Sequence, residues 1–175
     1  MKLIVWLWNP WLEYKKTRHN VGFLFLDYLK NLWKFEDFKD SKFKWLISEW
    51  IFKSEKTIFL KPTTYINLSG ESIISICNFY KLDFKKDICV IFDDISMEFG
   101  KVRFRDKWSN WWHNGIKSII KVFWSEEFKR IKIWVWFDEK YDPADWVLSD
   151  FKKDELEELK NEVFKTTLNL LEEKI

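Results

Sequence analysis

The chain has 175 residues, about the length of one domain and enough to bury a sizeable core without disulfide or metal support. Its 47% hydrophobic and 33% charged residues describe a soluble globular protein, and no apolar run approaches the roughly 20 residues of a membrane span. A net charge of +2 is too small to announce nucleic-acid binding globally, although a local basic patch remains compatible with it. The N-terminal apolar run meets Asn9-Pro10 too early for a signal peptide, so the cytoplasm is the expected compartment. One ratio is abnormal: there are 13 Trp and only 4 Gly, where an average protein has about 7% Gly.

In chain order, residues 2–8 read as a buried strand, and Asn9-Pro10 turns the chain into a polar segment ending at Arg18-His19-Asn20. Val21, Leu24, Phe25, Tyr28, Leu29 and Leu32 then recur at helical spacing, which predicts a helix over about 20–32 with one face on a sheet. Residues 43–60 carry two β-rich runs around the polar Lys53-Ser54-Glu55-Lys56, the pattern of a hairpin. After "TTYINLSGES", a helix over about 69–80 turns Ile73, Ile74, Ile76 and Cys77 to the core, with Asn67 or Ser69 near its N-cap.

The run "DICVIFDD" is apolar until it meets two carboxylates, a common way for a buried strand to deliver a polar side chain to a sheet edge. A β-like "KVRFR", a Trp-rich loop, a helix over 114–123, a strand over 130–136 and a C-terminal helix over about 152–173 complete the chain. Strands alternating with helices predict one α/β domain, residues 1–175, with a twisted mixed β-sheet flanked by helices. Cys77 and Cys89 sit in apolar patterns and read as buried free thiols.

His19 stands at a helix start, where a side chain is both positioned and reachable. Histidines taken singly are more often structural, so a base role needs a partner. Asp93 is the best candidate, because a carboxylate accepting from one ring nitrogen fixes the tautomer and leaves the other nitrogen to take a proton. Asn9, Asn67 and Asn114 lie at element boundaries; caps and turns explain each singly, but uncharged amides also suit holding an ester carbonyl. A metal site from His19, His113, Asp93 and Asp94 lacks a spacing such as H-E-x-x-H. "NLSGES" is not G-x-S-x-G, so water is the expected nucleophile.

These segments together match a family. "VWLWNPWLEYKKTRHNVGF" resembles the V-G-L-G-N-P-G-x-x-Y-x-x-T-R-H-N-x-G opening of bacterial peptidyl-tRNA hydrolases. "KPTTYINLSGES" is similar to K-P-x-T-(Y/F)-M-N-x-S-G, "WSNWWHNGIKSI" to G-G-H-N-G-(L/I)-K-x-I, and "RIKIWVW" to R-(L/I)-(R/K)-I-G-(I/V)-G. Trp6, Trp8, Trp11, Trp108, Trp111, Trp112, Trp124, Trp134 and Trp136 fall on glycine positions of the pattern, with Trp33, Trp45 and Trp50 as further candidates and Trp146 unassigned. The simplest reading is that UGA codons, glycine in the host, were translated as tryptophan. Overpacking costs about 1 to 3 kcal/mol for a few methylenes, and each change here adds an indole.

The resemblance implies hydrolysis of the ester between a peptide and the 3′ ribose of tRNA, by a cytoplasmic monomer needing neither metal nor organic cofactor. By matched position, His19 is the general base and Asp93 orients and polarises it. Asn9 and Asn114 position substrate and water, and Asn67 grips the peptide backbone. Tyr14 lies near the tRNA 3′ end, while Arg105 with Arg130 or Lys132 binds its phosphate. His113 supports the site by hydrogen bonding. Phe92 departs from the pattern, which often has histidine there, and Trp8, Trp11, Trp111 and Trp112 flank Asn9 and Asn114 as possible obstructions of the cleft. The alternative is a noncatalytic RNA-binding protein of the same fold.

Overall fold

The computed structural model describes residues 1–40, 45–96, 100–107, 113–135 and 137–175. Four of the tryptophans matched to glycine, Trp108, Trp111, Trp112 and Trp136, lie outside the described residues. Strands β1 (Lys2–Trp6), β4 (Glu55–Pro62), β5 (Ile88–Asp94) and β7 (Glu127–Trp134) run parallel. Antiparallel strands extend both flanks: β2 (Lys39–Asp40) and β3 (Trp45–Phe52) on one, β6 (Val102–Lys107) on the other. The seven strands lie in the order β2-β3-β4-β1-β5-β7-β6, a mixed α/β sheet as expected.

The near-continuous apolar runs of the parallel strands follow from burial on both faces. On one face, Ile4, Cys89, Ile91, Ile131 and Ile133 pack with helix α1 (Val21–Trp33) and the C-terminal helices; on the other, Leu3, Val5, Val90 and Phe92 pack with α2 (Ser69–Tyr80) and α4 (Asn114–Phe123). In α1 the inward stripe is Val21, Phe25, Leu26 and Leu29, whereas Leu32 is exposed. Helix α2 approaches α4 so closely that a Cβ on Gly70 would stand 2.5 Å from the Ser118 carbonyl oxygen. Glycine is required there by contact.

The elements differ from expectation in detail. The strand expected over 130–136 begins earlier, at Glu127, and its pairing ends at Trp134. The C-terminal helix is built from α6 (Lys153–Glu158), a π-helical turn at Leu159–Val163 and α7 (Phe164–Lys174). A short helix α3 spans Phe84–Asp87 and another, α5, spans Pro143–Val147, begun by Asp142 accepting from the Ala144 N–H and by Pro143 in the first turn. The N-cap of α2 is Leu68; Asn67 sits in a preceding 3-10 turn at Ile66–Leu68.

The tryptophans matched to glycine are unevenly housed. Trp124 ends α4 in the left-handed conformation, with φ 52°, and is 91% exposed. That conformation favours glycine, and the indole gains no burial in exchange. Trp6 and Trp134 are buried, and neither indole N–H has an acceptor among the described residues. Trp8 stacks on Phe23 and donates to the Pro62 carbonyl. Cys77 and Cys89 are buried free thiols, each pushed by burial up to about 12. Among the described residues, no helix is long and apolar enough to cross a membrane.

Candidate active site

In the sheet, β1 lies between β4 and β5, so chain connections leave their carboxyl ends in opposite directions and open a crevice there. The crevice collects the loop after β1, the turn after β4, the end of β5 and the segment after β7. It holds a cavity of about 400 Å³ lined by Asn9, His19, Ile66, Asn114, Asp142, Pro143, Ala144, Val147 and Leu148. Three of the expected site residues, Asn9, His19 and Asn114, thus line one cavity.

Asp93 stands behind them at the end of β5, 1% exposed. His19 Nδ1 lies 2.8 Å from Asp93 Oδ1 and 2.9 Å from Oδ2. His113 Nε2 lies 3.0 Å from Asp93 Oδ1, while its Nδ1 accepts the Ile116 N–H at the start of α4. An acceptor at Nδ1 makes Nε2 the protonated nitrogen of neutral His113, so that ring donates to Asp93 and has no lone pair left. The same carboxylate takes the Nδ1–H of His19 and leaves its Nε2 as the basic atom toward the cavity. Phe92 packs edge-on against His113.

Burial alone would raise the Asp93 carboxyl; attraction and hydrogen bonds from His19 and His113 outweigh it and hold the group well below the usual carboxylate range. Burial likewise pushes His113 below its ordinary value, against the pull of Asp93. His19, Asp93 and His113 are close enough to offer ligands to one metal ion. In the observed geometry, however, His113 is committed on both nitrogens.

The turn Arg18–Asn20 organises the surroundings. Asn20 accepts from the Asn9 N–H at 2.8 Å and returns an N–H to the Asn9 carbonyl at 3.1 Å, and Asn9 Oδ1 accepts from the Ile66 N–H at 3.4 Å. The loops after β1 and β4 are therefore pinned together through Asn9. Sequence reasoning missed Asn20 as a holder of Asn9, and it missed the apolar wall from α5. The Asp142-Pro143 pair, an N-cap followed by a first-turn proline, was the available signal.

The remaining expected residues are dispersed. Asn67 and Tyr14 lie outside the cavity lining, Asn67 exposed and Tyr14 half-buried, with its hydroxyl raised because it donates a hydrogen bond to the Glu13 carboxylate. Arg105 is half-buried on edge strand β6 and is the register partner of Arg130 on β7. Arg130 is fully buried, donating to the Phe128 and Glu126 carbonyls over the Phe128 ring, and burial pushes it down to about 10. In that placement the guanidinium of Arg130 is turned into the protein, onto main-chain carbonyls. Lys132 is also buried, paired with Asp94.

A family model described as peptidyl-tRNA hydrolase matches residues 3–175. A peptidyl-tRNA hydrolase of Fusobacterium nucleatum is 48% identical over 159 residues, covering 91% of this chain and 82% of the relative. One of Clostridium botulinum is 44% identical over 173 residues, covering 99% and 88%. The crystal structure of peptidyl-tRNA hydrolase from Acinetobacter baumannii superposes with a TM-score of 0.85 at 26% identity, over 99% of this chain and 89% of that one.

Proposed function

The chain belongs to the peptidyl-tRNA hydrolase family, and from that premise we propose that it hydrolyses peptidyl-tRNA at the ester linking peptide to tRNA, with His19 as the general base. The observation that carries the assignment of roles is His19 Nδ1 held by buried Asp93 at 2.8 Å while His19 also lines a cavity flanked by Asn9 and Asn114. His19 Nε2 takes a proton from water as the water oxygen bonds to the ester carbonyl carbon. The Asp93 carboxylate stabilises the resulting imidazolium.

The carbonyl electron pair moves onto oxygen in the tetrahedral intermediate, where amide N–H groups of Asn9 and Asn114 stabilise it. Collapse restores the carbonyl and breaks the bond to the ribose 3′ oxygen, which receives the proton from His19. A free peptide acid and a tRNA with its 3′ hydroxyl leave. His113 supports Asp93 and transfers no proton. Asn67 would grip the peptide backbone beyond the cavity, and Tyr14 would lie beside the tRNA 3′ end. Arg105 is the phosphate contact best placed at the surface; Lys132 would first have to leave Asp94.

The scheme uses the chain's own groups, and the proposal is of a cytoplasmic monomer that acts without a metal or organic cofactor. The proposal extends to the tryptophans at glycine positions, read as UGA codons for glycine. It is supported by left-handed Trp124 and by the buried indoles of Trp6 and Trp134, whose N–H groups have no acceptor among the described residues. Inspection of the codons and peptide mass spectrometry of the protein from its natural host test it directly.

The functional test is release of free tRNA from a peptidyl-tRNA by the chain as written and by a version with glycine at the matched tryptophans, each beside its His19→Ala variant. Activity of the glycine version alone, lost with His19, supports both function and miscoding. Activity in neither refutes the hydrolase assignment, and equal activity in both refutes the argument from overpacking.

A further inference from the structure

We infer that Arg18 is a positioning residue that locks the apolar wall of the cavity, residues 142–149, against catalytic His19, with Glu155 as its anchor. The inference rests on the hydrolase reading and adds to it the device that keeps the peptide-binding wall in place. Arg18 is 2% exposed and places its charge on partners in the segment after α5. Its Nη2 donates to both oxygens of Glu155, at 2.9 and 2.8 Å, and its Nη1 donates to Ser149 Oγ at 3.1 Å and to the Asp150 carbonyl. The guanidinium carbon lies 4.4 Å from the Trp146 ring centre and 5.1 Å from that of Phe151.

The backbone repeats the connection. The Arg18 N–H donates to the Ser149 carbonyl at 3.1 Å, the Phe151 N–H to the Lys16 carbonyl at 3.0 Å, and Thr17 bridges Asp150. The helix that supplies Pro143, Ala144 and Val147 to the cavity has only five residues, far too short to hold its own conformation in water. Its placement must come from tertiary contacts, and those just named converge on Arg18. Burying a guanidinium costs several kcal/mol unless its geometry and partners are good. A planar, five-donor group is also the side chain best able to fix one segment in one orientation.

Adjacent residues of one turn thus do separate tasks. Arg18 holds the wall after β7, His19 faces the ester, and Asn20 holds Asn9. Loss of the Arg18 clamp should therefore loosen the grip on the peptide without changing the base. Uniform loss of ground-state and transition-state binding raises KM and leaves kcat.

The test uses Arg18→Lys and, should that variant fold poorly, Glu155→Gln, each in the form of the chain that turns over peptidyl-tRNA. Expected are a KM for peptidyl-tRNA about tenfold higher, kcat within about twofold, and an unchanged pH profile, the pattern of lost uniform binding. The Kd for deacylated tRNA, which carries no peptide, should not move. Hydrogen exchange should quicken at the amides of residues 144–151 while the β5 amides stay protected, and the double variant should do no more than Arg18→Lys alone. Unchanged KM and unchanged local exchange beside a lower thermal midpoint would reduce Arg18 to a general stabilising contact and overturn the inference. A parallel loss of deacylated-tRNA binding would overturn it too, by placing the effect on tRNA. If the parent itself releases no tRNA, the hydrolase reading fails, and the exchange measurement alone still decides whether Arg18 locks the wall.

Discussion

Replacing Asp93 by Asn tests the proposed chemistry at its most constrained point. Because His113 Nδ1 already accepts the Ile116 N–H, His113 Nε2 must keep its hydrogen and needs an acceptor on residue 93. An asparagine has one oxygen; kept at the position that meets both His113 Nε2 at 3.0 Å and His19 Nδ1 at 2.8 Å, it places the NH2 where the other carboxylate oxygen stands, 2.9 Å from His19 Nδ1, and an N–H there repels the hydrogen on that nitrogen. His19 would then accept at Nδ1 and carry its hydrogen on Nε2, the atom that must take a proton from water. An amide in place of the orienting carboxylate lowers kcat by about 10⁴ in a Ser-His-Asp triad. A loss of about 10³ to 10⁴ is expected here, equivalent to roughly 4 to 5.5 kcal/mol of barrier. Asp93 does not line the cavity, so KM should stay near its original value. Single-turnover release of tRNA from peptidyl-tRNA, with circular dichroism as the folding control, measures the effect. Activity within tenfold of the parent would refute the assignment of His19 as a base oriented by Asp93.

Trp124→Gly should raise stability by about 1 to 2 kcal/mol, the cost of a left-handed non-glycine residue, because a side chain 91% exposed forfeits little packing; an unchanged or lower thermal midpoint would contradict this. Acidification should weaken the fold in two stages. His113 sits below its ordinary value of 6.5, so below that pH the unfolded chain takes up a proton the folded chain refuses, and stability falls. Asp93 is held below 3.8 and adds stability above that pH that is lost as pH falls through its lower folded value. Urea midpoints from pH 7 to 3 should show both stages, and His113→Gln should remove the first; parallel curves between pH 6.5 and 5 would rule out His113 as its source. Arg105→Ala should reduce the steepness of the salt dependence of tRNA binding by about 1, while Arg130→Met should leave it unchanged. A reduced slope for Arg130→Met would show that the buried guanidinium turns out to meet phosphate.

The sheet was legible because both-face burial writes long apolar runs, and the carboxylates ending "DICVIFDD" mark where such a strand leaves the core. Helix α2 was legible in its extent, since Ile73, Ile76 and Cys77 on its inward side follow the 3.6 period, although its caps, Leu68 and Lys81, are not signal residues. Helix α5 was not, because five residues cannot display a period. The burial of Arg130 was not legible for a related reason. Strand alternation says which residues share a face, but whether that face is covered depends on elements distant in the chain. Arg105 and Arg130 are cross-strand partners, yet one sits on the edge strand and the other on the strand inside it, and only the second is engulfed.

The site itself shows why local pattern and tertiary placement had to agree. His19 and Asp93 are 74 residues apart, and no periodicity relates them; they meet because β1 and β5 are parallel neighbours whose carboxyl ends open on the same crevice. The topology brings the two side chains near each other but does not choose a tautomer. That choice comes from the start of α4, where the Ile116 N–H occupies His113 Nδ1 and aims the other ring nitrogen at Asp93. A buried carboxylate taking hydrogens from two rings is then held ionised, and only the ring that faces the cavity keeps a lone pair. Base, support and anchor are thus assigned by which hydrogen-bond partners each group has already used, a property the folded chain has and the bare sequence does not.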